Sequence, residues 1–175
     1  MPPGRNFPRE EVKTSGAVFD TLDRILDQAH FGPSHLRNNE IAAIVRDAIV
    51  YNSAELLHYE LHAYAIMPNH VHILITPAIA LPSLMKSLKG ITAKRANSLL
   101  GLTGTTFWQE ESYDRLIRDR DEFETVRNYI EDNPVRAGIV RQPADFRWSS
   151  AWNGGPTGAS ARGPGGPPYG GTAAD

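Results

Sequence analysis

Residues 59–67 and 70–76 form two apolar, extended runs separated only by Pro68 and Asn69. Strands joined so tightly pair with each other and in opposite directions, so the spacing predicts an antiparallel hairpin. The flanking segments have a different period. Ile41, Ile44, Val45, Ala48 and Ile49 recur at helical spacing behind Asn39, which can cap them. Leu84, Met85, Leu88, Ile91, Ala96 and Leu99 run from Pro82, suited to a first helical turn, to Gly101. Phe123, Val126 and Ile130 predict a helix over 121–132 bounded by Pro134. An earlier helix is predicted from Phe19, Leu22, Ile25, Leu26 and Ala29, stopped by Phe31-Gly32-Pro33. Residues 108–117 are less periodic, with room for a short strand. Helices and strands mix without regular βαβ alternation, which predicts an α+β fold with a small antiparallel sheet.

The ends of the chain read differently from this body. The first 17 residues hold three prolines and two glycines and show no apolar period, and the last 23 hold eight glycines and four prolines. The expected organisation is an irregular segment over 1–17, one domain over 18–152 and a flexible tail over 153–175. With 41% hydrophobic residues in 175, a single core is within reach and wholesale disorder is excluded. Lysines and arginines number 18 against 20 acidic residues, so any nucleic-acid contact is a local patch rather than an overall coat of charge. No cysteine is present, which removes disulfides, thiolate metal sites and cysteine nucleophiles together and fits a reducing compartment. No long apolar run or leader-like segment is found, so the expected location is the cytoplasm, away from membranes.

Three features can carry chemistry. In the second strand His70 and His72 are two apart and project from one face, where two imidazoles can meet one divalent ion while Val71 and Ile73 turn to the core. Alone, a His-x-His pair is more often two half-exposed histidines at a sheet edge and decides little. Tyr129 and Asn133, four apart, share one helical face and can bring a phenol and an amide to one small site, although, taken alone, packing for Tyr129 and helix termination for Asn133 is the better reading. Together, two imidazoles and an amide oxygen beside a tyrosine hydroxyl suit phosphodiester transesterification. Imidazole ligation accommodates Mn²⁺ better than Mg²⁺, which favours oxygen, though Mg²⁺ can occupy a weak site. Finally, Lys86, Lys89, Lys94 and Arg95 lie in residues 81–100 without one Asp or Glu, a pattern that can track a nucleic-acid backbone or simply face water. Arg115, Arg118, Arg120, Arg127 and Arg136 can add phosphate contacts; Trp108, Tyr113 and Trp148 can stack bases or fill the core.

Taken in order, MPNHVHILITP, KGITAKRAN, FWQEESYDRLIRD, YIEDNPVRAGIV and WSSAW resemble the REP-associated tyrosine transposases, members of the HUH group of single-tyrosine transposases. The resemblance runs from about Phe19 to Trp152. It implies a ferredoxin-like antiparallel sheet with helices on one face, a metal held by His70, His72 and Asn133, and Tyr129 as nucleophile. It also implies an activity: single-stranded DNA is cut next to a hairpin through a 5′-phosphotyrosine, freeing a 3′ hydroxyl that later reverses the step, with Mg²⁺ or Mn²⁺ as cofactor. The implied partner is single-stranded or hairpin DNA, bound in part by Lys86, Lys89, Lys94, Arg95 and Arg136, by a monomer or a homodimer. One departure stands out. Relatives begin with a segment of the type Tyr-x-Val-Thr-x-Arg that pairs beside the His-x-His strand, and residues 13–18 are too short and not alternating enough to supply it. The sheet is therefore expected to lack its usual first strand.

That departure keeps a second class open, a truncated or domesticated relative that holds hairpin DNA without cutting it. A metal-dependent hydrolase with water as nucleophile is a third, for which the sequence offers no convincing additional base.

Overall fold

The structure, a computed structural model, describes residues 34–109 and 116–154. The helix expected around residues 19–29, the segment 13–18, Tyr113, Arg115 and most of both terminal segments lie outside the described residues. After a 3-10 turn at His35–Arg37 come α1 (Asn39–Ala54), β1 (Tyr59–Ile66), β2 (Val71–Pro77), α2 (Leu81–Leu100) and α3 (Arg120–Arg136), then a second 3-10 turn at Pro143–Asp145. None of these helices is long and apolar enough to cross a membrane.

The hairpin is antiparallel, as the two apolar runs predict, with Ile66 opposite Val71 and Ala65 opposite His72. The turn closes through the Met67 amide, which donates to the His70 carbonyl at 2.8 Å. A bulge at Leu61/Ala63 leaves His62 as the extra residue of β1. Across the bulge, Ala63, Ala65, His72 and Leu74 share one face, while Tyr59, Tyr64, Ile66, Val71 and Ile73 share the other.

Helices lie against both faces of the hairpin rather than one, within the expected antiparallel α+β class. α3 covers the histidine face, where Phe123 meets His62 edge to face at 5.0 Å. On the other face the buried Tyr59 hydroxyl donates to the Ile49 carbonyl of α1 at 2.7 Å. Tyr64 lies on that face too, near Arg46 and Asp47 of α1, and burial pushes its phenol pKa up from the usual 10.0, partly offset by the Arg46 charge. Burial departs from the expectation for Val71 and Ile73. These two are only half-buried, whereas Leu74, on the histidine face, is buried.

β1 also gains a partner on its outer edge. Its Ile66 amide donates to the Trp148 carbonyl at 2.8 Å, the Ser150 amide donates to the Tyr64 carbonyl at 2.9 Å, and Ala65 bridges Ser149. Trp148, offered by the sequence as a base-stacking ring, is buried here under the guanidinium groups of Arg46 and Arg147. Ser150 further donates to a carboxylate oxygen of Glu131 at 3.0 Å, tying α3 to the sheet. Among the described residues the sheet has two strands, and no strand pairs with the outer edge of β2.

Helix ends differ from the sequence reading by identifiable chemistry. The cap of α1 is Asn38, not Asn39: its side-chain oxygen accepts from the Glu40 amide at 2.8 Å. α3 is capped by Asp119, whose carboxylate accepts from the Glu122 amide, while the Glu122 carboxylate accepts from the amide of Arg118, one residue before the cap. Nor does Pro134 bound α3. The helix runs on to Arg136 and ends where Gly138 takes a left-handed φ of 70° and the Ile139 and Gly138 amides donate to the Pro134 and Val135 carbonyls. A proline this near the end removes one hydrogen bond only, so Asn133 is a helix-interior residue rather than a terminator. No strand is present at Trp108, Gln109, Leu116 or Ile117, the described part of the segment with room for one.

Candidate active site

His70 and His72 stand at the turn end of β2 and project from the face that α3 covers. Their Nε2 atoms are 2.9 Å apart, the rings meeting nearly at right angles. His70 Nδ1 lies 2.7 Å from the side-chain oxygen of Asn69; the N–H that donates there leaves Nε2 of His70 with its lone pair facing His72. Asn69 thus holds the His70 ring in place, a contact that sequence reasoning missed although the residue stands next to the motif.

α3 supplies the other half. Tyr129 and Asn133 are one turn apart on its buried face, Tyr129 at 8% exposure and Asn133 at 0%. The Asn133 side-chain nitrogen is 3.2 Å from His72 Nε2, and rotating the amide by half a turn exchanges that nitrogen for the oxygen. The Tyr129 ring lies edge-on to the His72 ring, centroids 6.0 Å apart. Arg136, a further turn along on the same side, carries its guanidinium carbon 4.8 Å from the centre of the Tyr129 ring. All four residues of the sequence-predicted metal and nucleophile set are therefore together, with Arg136 beside them.

The donor set fits a divalent cation. Two imidazole nitrogens separated by less than a ligand-to-ligand edge, with one lone pair directed between them and an amide alongside, match the borderline ligands that Mn²⁺ and related ions accept. Among the described residues no group of three or more His, Cys, Asp or Glu side chains converges to hold a metal, so no carboxylate-rich alternative competes.

The basic residues of α2 are dispersed instead of gathered. At 100° per residue Lys86 and Lys94 fall on one face, both exposed, but Arg95 falls on the opposite side with Leu84, Leu88 and Ile91 and is half-buried. Lys89 reaches across to donate to the Gln109 carbonyl at 3.2 Å. Arg118 and Arg120 are exposed, and Arg127 pairs with Glu131 at 3.8 Å.

The family model for IS200-like transposases matches residues 35–133, a span that holds both histidines and Tyr129 and ends on Asn133. The chain belongs to the IS200-like transposase family. A solved structure of a REP-associated tyrosine transposase bound to a REP hairpin is similar in fold, with a TM-score of 0.54 and 23% sequence identity over 70% of each chain. No curated protein matches the chain.

Proposed function

We propose that this transposase-family chain cuts and rejoins single-stranded DNA next to a hairpin through a 5′-phosphotyrosine. The observation that carries the reading is the meeting of His70, His72 and Asn133 at hydrogen-bond distance beside the Tyr129 ring. Tyr129 attacks the scissile phosphorus. The bond from its phenolic oxygen to phosphorus forms as the bond from phosphorus to the 3′ oxygen breaks, the phenolic proton passes to water, and the leaving 3′ oxygen takes up a proton. In the reverse step a 3′ hydroxyl attacks the phosphotyrosine, the phosphodiester forms as the bond to the phenolic oxygen breaks, and Tyr129 regains its proton; no energy source is needed, since the phosphodiester is exchanged and not hydrolysed. His70, His72 and Asn133 would hold a Mg²⁺ or Mn²⁺ ion, which when bound supplies Lewis-acid polarisation of the scissile phosphate.

The chain's own residues do the positioning. Asn69 orients His70, and the link from Ser150 to Glu131 holds α3 against β1 so that Tyr129 stays beside the histidines. Arg136 sets a cation next to the nucleophile's ring, where an incoming phosphate needs charge neutralised. Lys86 and Lys94 are the exposed cations of α2 assigned to the DNA backbone; Lys89 and Arg95, the other expected contacts, lie partly buried. One chain supplies both halves of the site, so the reading needs no second subunit.

The test is incubation of labelled hairpin DNA bearing a single-stranded flank with protein and Mn²⁺ or Mg²⁺, followed by denaturing electrophoresis. A metal-dependent protein–DNA adduct that Tyr129→Phe abolishes is the expected result. DNA retarded on a native gel with no adduct from folded protein would replace this reading with that of a binding protein, and cleavage without an adduct would replace it with that of a hydrolase.

A further inference from the structure

Away from the histidines, α2 and the segment behind it form an open groove of about 400 Å³, lined by Lys89, Gly90, Ala93, Thr105, Phe107 and Trp108 among others. Gly90 is the odd residue in it. It sits in the middle of a twenty-residue helix, where glycine weakens the helix relative to alanine. Its backbone is not left-handed, and no described atom comes within 4 Å of where a Cβ would stand. Neither conformation nor packing calls for glycine, and it leaves this part of the groove floor without a side chain.

The walls are rings held in fixed positions. Trp108 Nε1 donates to the Thr92 hydroxyl at 2.8 Å, and Phe107 is set edge-on to Trp108 at 5.0 Å and stacked on His35 at 5.6 Å. Both Phe107 and Trp108 remain partly exposed. Lys86 and Lys94 lie one turn before and one turn after Gly90 on the same helix face, about 12 Å apart along the axis, in a stretch with no acidic residue. Exposed lysines on the helix beside an open, ring-bordered groove complement a nucleotide, which joins a phosphate to a planar base.

The geometry points to this groove as a seat for one unpaired nucleobase of the single-stranded DNA that flanks the hairpin. The inference rests on the strand-transfer reading above and adds to it a second DNA contact, remote in sequence from Tyr129. Stacking against pre-set rings tolerates any base, so the groove recognises single-strandedness rather than sequence.

Three labelled oligonucleotides test it by fluorescence anisotropy with the full chain: a hairpin with a single-stranded flank, the same hairpin with an abasic flank, and the hairpin trimmed of its flank. The unaltered protein is expected to bind the intact flank roughly tenfold or more tightly than the abasic one. Gly90→Ala, which barely enters the groove, keeps that preference and melts no lower. Gly90→Leu, whose side chain occupies the groove, loses the preference while still binding the trimmed hairpin as the unaltered protein does. Full preference retained in Gly90→Leu, or no preference in the unaltered protein, overturns the inference and assigns the groove to another occupant. Those outcomes leave the Tyr129 adduct untouched; failure of the unaltered protein to bind any of the three DNAs overturns the strand-transfer reading and the inference with it.

Discussion

The two long helices that follow the hairpin carry their polar side chains on opposite sides. α3 turns Tyr129 and Asn133 inward, onto the histidine face of the sheet, where Asn133 is fully buried. α2 turns Lys86 and Lys94 outward into water and leaves a glycine between them. The two arrangements carry different weight as signals of function. An exposed lysine costs a fold almost nothing, so a run of them is equally at home on an idle surface. A buried amide and phenol must be partnered or they cost about 1–3 kcal/mol each, so their placement beside two histidines is the stronger of the two signals. Chemistry is thus expected on α3 and DNA holding on α2, and the two should be separable.

The largest separation is expected from His72→Ala. Losing one imidazole should lower adduct formation by about a hundredfold or more, judging from what weaker perturbations of metal sites do, while hairpin retardation on a native gel stays within about twofold. An unchanged adduct yield, or loss of DNA binding together with the adduct, would break the division between the helices. The reciprocal variant, Lys86→Gln with Lys94→Gln, should leave the adduct yield at saturating DNA alone. Its effect lies in affinity: the slope of log affinity against log salt should fall by roughly 1.4 to 1.8 for two lost phosphate contacts, read from a salt titration. An unaltered slope would mean that the outer face of α2 does not meet the backbone.

The smallest effect belongs to the hairpin face opposite α3. Burial raises the Tyr64 phenol above its ordinary pKa of 10.0, so the folded chain holds that proton longer than the unfolded one. The stability this lends is fully present below pH 10 and is lost as pH rises through the raised folded-state value. Tyr64→Phe should therefore flatten the decline of Tm above pH 10, by about 2 °C, without altering adduct formation at neutral pH. A change in adduct yield would show that this face is coupled to the chemistry.

Much of this arrangement is legible in the sequence because it rests on local rules. A two-residue link fixes an antiparallel hairpin, a spacing of two puts His70 and His72 on one face, and a spacing of four does the same for Tyr129 and Asn133. The misreadings arise where two local signals compete. Asn38 and Asn39 are adjacent candidates for one cap, and the structure uses the first. Pro134 looks like a stop, but Gly138 provides the left-handed residue that actually closes the helix. What no local rule contains is pairing at long range. That the outer edge of β1 is met by Ser149 and Ser150, that Ser150 reaches Glu131, and that Phe107 and Trp108 return to wall a groove over Gly90 depend on contacts between residues far apart in the chain. Arg95 teaches the same lesson in reverse. In the sequence it belongs with three lysines, whereas the turn of the helix places it on the side of Leu84 and Leu88.

The most direct test of the central claim is to locate the covalent bond itself. After reaction with hairpin DNA and Mn²⁺, nuclease trimming and tryptic digestion, mass spectrometry should find a 5′-phosphonucleotide on the peptide cut after Arg127 and Arg136, whose single tyrosine is Tyr129. A nucleotide on any other residue, or cut DNA with that peptide unmodified, would contradict the assignment of Tyr129 and, with it, of the histidine cluster as the place where the strand is broken.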